Sequence, residues 1–278
     1  MTMKIENYSD KNGYSADTFT FPYNPRVFDD VIDTNMTLHT IPYSKTHIAI
    51  TNAGIDPKSI VLTGHFSGTN KFVNYNSLAK HITEAKLKKL YFADDRFYIC
   101  LGRQIKMTNS AGRTNFVDYV ATFIAPIGLV FGDTQRSDTY SGGSWADGSV
   151  TNQGYAATYI EKIEIELGSS GSAGDTLTIT DNHNHGFVVR LEDYSSGDTV
   201  TVYLVTLAEV GSSETWSIEY LYCWQDTGSG SQLKRYLASG KKSMFLVLEV
   251  GENVSNISVT GTPTISSYTV YFRDGYFA

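Results

Sequence analysis

From Ile163 to Leu167 the chain alternates apolar and charged residues one by one: Ile163 and Ile165 with Glu164 and Glu166 between, and Ile160 and Glu161 just upstream. A period of two predicts a β-strand with one buried and one wet face. The same texture recurs in eight runs: 159–167, 175–180, 186–194, 198–207, 215–224, 241–250, 256–261 and 267–274. Gly and Ser clusters separate several of them, which is turn composition. Eight short strands at this spacing predict an antiparallel sandwich or jelly roll.

The first half reads differently. "HIAIT" and "SIVLTGHFSG" are short strands with "NAGIDPK" as the turn between them. In "NYNSLAKHITEAKLKKLYF", residues Leu78, Ile82, Ala85 and Leu90 fall near one face at helical spacing, with Lys80, Glu84, Lys86, Lys88 and Lys89 mostly elsewhere. Asn76 or Ser77 is the expected N-cap, and the lysines gather at the C-terminal end, where the helix dipole favours positive charge. We expect them on a solvated face.

The helix is followed by "LYFADDRFYICLGR". Its two aromatic runs read as strands, and Asp94-Asp95 as the turn joining them. Adjacent strand residues point to opposite faces, which argues against a converging pair of catalytic carboxylates. A further strand, a turn at Asn109-Ser-Ala-Gly112, and a strand bearing Phe116, Tyr119, Ala121 and Phe123 complete this part.

Two segments lack such patterns. Residues 1–26 are polar, dotted with aromatics and interrupted by prolines, and are expected to form an extended arm. Residues 133–153 are poor in aliphatics and rich in Gly, Ser, Thr and Asp. The expected organisation is an arm at 1–26, a first domain at 27–135, a linker at 136–154 and a second domain at 155–278.

Charge sharpens the division. The chain has 278 residues and a net charge of −7. Residues 1–135 hold roughly 14 basic and 12 acidic side chains, so nearly all the negative excess follows Gly132. No basic stripe of a free-standing nucleic-acid binder is evident. Residues 1–17 have no apolar core of a secretory signal, no run approaches the length of a membrane span, and we expect folding in a cytoplasm. Cys100 and Cys223 are far apart within apolar runs and read as small buried hydrophobes.

Chemistry-bearing motifs are scarce. There is no Walker loop, no G-x-S-x-G elbow and no HExxH. Asp181-Asn-His-Asn-His185 has the donors for a divalent metal, but an Asn-rich stretch before Gly186 and between two strands reads as a turn. We expect no catalytic residue, no metal and no cofactor. Trp216 and Trp224 sit in or beside a strand run and are expected in the core. Trp145, isolated in the polar segment, is expected to dock on a surface. Together with Tyr155, Tyr159, His183 and His185 it is a candidate contact for a glycan or a partner.

In the first half, the order "IVLTGHFSG", "SLAKHITEAKLKKLYF", "DDRFYICLGRQIKM" and "FVDYVATFIAPIGLVFG" resembles the N-terminal domain of the distal tail (Dit) proteins of long-tailed, siphovirus-like phages and related viruses of prokaryotes. "TNQGYAATYIEKIEIEL" resembles the junction of that family, where an Asn-x-Gly turn opens a galectin-like sandwich, although the proline usual after that turn is absent here. The resemblance spans about 45–278. It implies a mainly β fold with one clear helix: an N-terminal β-sandwich or tail-tube-like domain, then an antiparallel galectin-like (jelly-roll) β-sandwich.

It also implies a non-enzymatic virion component at the tail tip, assembled in the host cytoplasm. The expected assembly is a homo-hexameric ring joining the tail tube protein to the tip hub protein, with DNA passing through the lumen without specific binding and no membrane contact. Rival readings are a carbohydrate-binding protein recognising host glycans through the second sandwich, a cell-wall hydrolase, and a tube or terminator protein.

Overall fold

The computed structural model describes residues 2–7, 17–28, 34–40, 48–55, 58–84, 87–108, 115–125, 128–142, 150–203, 206–209, 216–219, 222–227, 230–234, 236–238 and 246–276. The chain divides into two compact units, one built on Met1–Phe131 and the other on Gly132–Tyr276.

The first unit contains β1 (Lys4–Asn7), β2 (Thr18–Thr20), β3 (Arg26–Phe28), β4 (Thr34–Thr40), β5 (Ile48–Ile55), β6 (Lys58–Ser67), α1 (Lys71–Thr83), β7 (Lys88–Ala93), β8 (Arg96–Met107) and β9 (Phe116–Ala125). One antiparallel path runs β2-β1-β7-β8 and another β3-β6-β9-β8. The long β8 serves both: its first half pairs with β7 and its second half with β9. The register shift between Gly102 and Gln104 lies in the second half. Ile5, Phe19, Phe21, Ile60, Leu62, Phe66, Leu90, Phe97, Tyr119 and Phe123 are all buried. Each buried Ile, Leu or Phe side chain contributes about 1.5–3 kcal/mol relative to exposure.

The helix is shorter than its pattern predicts. Asn70 is the N-cap, without a side-chain capping bond, and Asn76 and Ser77 lie inside the helix. Leu78, His81 and Ile82 form the buried stripe at i, i+3 and i+4. The chain turns extended at Glu84, and Lys88 begins β7 rather than ending the helix. Strand pairing overrides helix propensity there: Leu90 lies opposite Ile5 on one side and Tyr98 on the other. The expected solvated lysine face holds at Lys80, whose side chain is 63% exposed, and is corrected at Lys88, which is 0% exposed; Lys86 lies outside the described residues. Asp94 and Asp95 do form the tight turn between β7 and β8.

The described residues of the expected arm, 2–7 and 17–26, are built into the first unit. β1 is hydrogen-bonded between β2 and β7, and Met3, Ile5, Phe19 and Phe21 enter the core. Spaced aromatics in a polar segment were enough to anchor it.

The second unit contains β10 (Val130–Ser141), in which the chain passes from one unit to the next, β11 (Thr158–Leu167), β12 (Thr176–Thr180), β13 (Gly186–Arg190), β14 (Thr199–Tyr203), β15 (Thr206–Glu209), β16 (Trp216–Glu219), β17 (Tyr222–Thr227), β18 (Gly230–Lys234), β19 (Tyr236–Ala238), β20 (Val247–Leu248), β21 (Ser258–Gly261) and β22 (Ile265–Tyr276). One sheet runs β18-β17-β14-β11-β22-β10, with β20 also on β11, and a second runs β19-β13-β12-β21. A shared core joins them: Ile163, Ile165, Val200, Val202 and Val270 from the first, Leu177, Ile179, Phe187, Val189 and Val259 from the second. This is the expected antiparallel sandwich.

The alternation in β11 has the expected outcome. Ile163 and Ile165 are buried between Val202 and Val200 on one side and Val270 and Tyr268 on the other. On the opposite face Lys162 donates to Glu164 at 2.7 Å, and the Tyr271 hydroxyl donates to the same carboxylate at 2.6 Å.

The described residues of the expected linker, 136–142 and 150–154, belong to the second unit. β10 continues to Ser141, and Tyr140 is buried and stacked on Tyr268 at 5.0 Å. Downstream, buried Asn152 donates to the carbonyls of Ala156 and Leu248. Its Thr- and Asp-rich composition suits a strand with mostly exposed positions beside a paired neighbour. Among the described residues no helix is long and apolar enough to cross a membrane.

Gly102 gives a direct test of the first unit. A methyl group added there would overlap the Ile82 backbone carbonyl, where α1 lies against β8. We expect Gly102→Ala to lower stability by about 1–3 kcal/mol as an overpacking change, read from the urea midpoint. An unchanged midpoint would place α1 elsewhere.

Candidate interaction surfaces

The Asp181–His185 segment is the turn between β12 and β13, and its polar groups serve the fold. Asp181 Oδ1 accepts from the backbone N–H groups of His183 at 2.9 Å and His185 at 2.8 Å. Asp181 Oδ2 lies 2.8 Å from His185 Nδ1 and accepts from the Val247 N–H at 3.1 Å. Asn184 occupies the left-handed region at φ 68°, which Asn tolerates well.

His183 Nε2 reaches Glu252 Oε2 at 2.7 Å, and that same oxygen accepts from the Glu249 N–H at 2.8 Å. The bond to Glu252 raises the His183 pKa above its ordinary value; burial opposes this, and the charges of Glu252, Asp181 and Glu249 add to it. Burial also opposes charge on Glu252, but bonds from His183, the Glu249 N–H and Asn182 outweigh it and hold its pKa low. The candidate histidines are therefore brought together, 6.0 Å apart ring to ring, as a clamp between the turn and the 247–252 segment. Among the described residues no group of three or more His, Cys, Asp or Glu is arranged to hold a metal ion.

The other candidates separate. Tyr155 is 73% exposed and meets Tyr276 edge-on at 6.1 Å. Its backbone is fixed where two glycines cross: the N–H groups of Tyr155 and Ala156 donate to the Gly275 carbonyl, and a side chain on Gly154 would strike the Gly275 backbone. Arg136 lies 3.0 Å from Asp274, whose other oxygen accepts from the Gln153 N–H at 2.8 Å. Tyr159 is half-buried on β11, and burial first, then Glu249, raises its phenol pKa. Trp145 lies outside the described residues. So do the side chains of Trp216, Trp224 and Cys223, whose backbones belong to β16 and β17. Cys100 is buried and free.

Sequence reasoning missed two surfaces of the first unit. The β3–β6 ladder, Arg26↔Thr63 to Phe28↔Val61, is followed along the same two chain segments by the β4–β5 ladder, Thr40↔Ile48 to Thr34↔Ile55. Among the described strands β4 and β5 pair only with each other. An isolated two-stranded ribbon is marginally stable in water, and its edges invite pairing. Separately, Tyr23 stacks on His65 at 5.6 Å, and His65 meets the edge of Phe116 at 5.6 Å. Both aromatics are exposed, Tyr23 by 55% and Phe116 by 42%. The only signal for that triplet was the aromatic content of "TFTFPYNPRVF" and of the 116–123 strand.

No protein-family model matches this chain, and no curated protein matches it. Its fold has solved counterparts among phage tail proteins. The crystal structure of SPP1 Dit (gp 19.1), described as a paradigm of the hub adsorption apparatus in phages infecting Gram-positive hosts, superposes with a TM-score of 0.50 at 12% identity, covering 99% of each chain. A chain of the phage p2 baseplate in its activated conformation with Sr superposes with a TM-score of 0.52 at 9% identity, covering 98% of each. The chain thus has a Dit-like, mainly β fold.

The His183 clamp carries a pH test. Its pKa is higher folded than unfolded, so the added stability is fully present below the unfolded value and fades as pH rises through the folded one. The urea midpoint of the parent protein should exceed that of His183→Ala most at about pH 5.5, and the gap should narrow toward about pH 9. A pH-independent gap would mean that the pair does not form.

Proposed function

We propose that this chain is a structural component of a viral tail tip. Six copies form a ring between the tail tube protein and the tip hub protein, and DNA passes through its lumen. The observation that carries this reading is the β4–β5 ribbon on a unit of Dit-like fold. A ribbon paired with no other described strand offers its edges to a neighbouring copy, and a ring closes through two different faces of each copy. The charge distribution supports the same reading. The balance before Gly132 is close to even, so the ring-forming unit lacks the strong basic excess that would hold DNA by its phosphates. No chemistry is required of such a part, and the candidate histidines and carboxylates are engaged in holding the sandwich together.

A second reading rests on Tyr155. An exposed tyrosine held on a rigid backbone crossing offers a stacking face to a sugar ring, and host glycans are the ligand class it would take. A glycan array with the full chain and with Tyr155→Ala tests it; signals identical in the two proteins would dismiss that site.

Electron microscopy of the purified protein tests the ring. Six-fold particles with a central opening are expected. Replacing residues 34–55 by a short Gly/Ser turn should abolish them and leave the β-rich circular dichroism spectrum intact. A parent protein that stays monomeric at high concentration, or rings that persist without the ribbon, would overturn the proposal.

A further inference from the structure

Asn7 and Lys88 lie directly opposite each other on β1 and β7. The Lys88 Nζ is 2.6 Å from the Asn7 Oδ1, and the Lys88 side chain is wholly buried. Asn7 is buried as well. Glu84, just past the end of α1, places Oε2 3.1 Å from the same Nζ. Cys100 lies opposite Lys88 on β8, free and buried, and His81 is buried near the end of α1. A buried amine and a buried carboxamide thus meet a carboxylate at the edge of the interior. We propose that Lys88 and Asn7 are joined by a self-formed isopeptide bond, with Glu84 as the proton carrier.

The step is balanced without any cofactor. Glu84 takes a proton from the Lys88 ammonium, and the neutral Nζ attacks Asn7 Cγ. The tetrahedral intermediate collapses with cleavage of the Cγ–Nδ2 bond. Nζ keeps one of its three protons, and the other two pass by way of Glu84 to Nδ2, which leaves as ammonium. The product is one amide linking the two side chains.

Three features of the site favour the reaction. Neighbouring strands hold the reacting groups in contact, which replaces an encounter by an effective concentration far above any in solution. A carboxylate within hydrogen-bond reach supplies both proton transfers. Burial disfavours a charged amine, which is how lysine nucleophiles are activated. The product also removes an ammonium from an apolar interior and leaves a neutral amide. Glu84 keeps a side-chain exposure of 24%, which gives the leaving group a way out. The bond would close a loop between positions 81 residues apart and fasten the N-terminal strand covalently to the sheet. The proposal is independent of the tail reading.

Intact mass spectrometry of the denatured full-length protein is the test. The chain should be lighter than its sequence mass by about 17 Da, the ammonia expelled in this acyl transfer. Proteolysis should yield one branched peptide containing both Asn7 and Lys88. Asn7→Ala and Glu84→Gln should run at full sequence mass, and Asn7→Ala should melt at a lower temperature. A folded parent protein at full mass overturns the proposal. So does a loss that survives in Asn7→Ala, because a succinimide elsewhere sheds the same mass. The parent measurement decides the matter even if a variant fails to fold.

Discussion

A β-sheet leaves a row of unpaired N–H and C=O groups along each outer strand, and both units are organised by where those groups go. In the second unit the answer is internal for the central strands, while β15 and β16, like β4 and β5, pair only with each other among the described strands. β11 is paired on one side with β14 and on the other with β22, so its alternating residues are divided cleanly between the core and a polar face. In the first unit the answer is incomplete. β8 is shared by two paths and β1 is held between two neighbours, but the β4–β5 ribbon pairs with nothing else described. In the proposed ring, those edges are where a neighbouring copy pairs.

Local features were readable wherever they were decided locally. The period-two run 163–167 named its own buried face, and Asp94-Asp95 named its own turn. The 181–185 turn was legible too, but its partner Glu252 was not, because nothing in the spacing brings a residue 69 positions away to His183. The end of α1 was misread for the same reason. Lys86, Lys88 and Lys89 continue a helical pattern, and only pairing with β1 and β8 makes the second of them a strand residue with a buried side chain. Composition misled at 133–141 as well. Thr, Ser and Asp look like a linker until β22 is laid alongside, with Thr139 and Thr269 joined hydroxyl to hydroxyl at 2.8 Å and Tyr140 anchored in the core.

The buried lysine shows how far such a misreading can reach. A lysine at the end of an amphipathic run is usually a solubilising charge, and at a surface its ion pair with Glu84 would contribute little. Placed in the interior, the same ammonium carries a desolvation penalty of several kcal/mol, against which its contacts with the Asn7 carboxamide and the Glu84 carboxylate count. Strand register and covalent chemistry are two uses of a lysine in that position.

These alternatives differ in what they ask of Glu84. A register device needs only its charge near Nζ, and any anion within a few ångströms would serve. Bond formation needs an atom that can receive a proton from Nζ and return it to the departing nitrogen, so it depends on position as well as charge. Glu84 sits where the helix has just ended and the chain is already extended, i,i−4 from Lys88 yet on a different element. That break between α1 and β7, which the helical pattern concealed, lets one side chain reach down beside a strand residue that a continued helix would have carried to the surface. The same backbone transition thus corrects the secondary structure and assembles the three reacting groups.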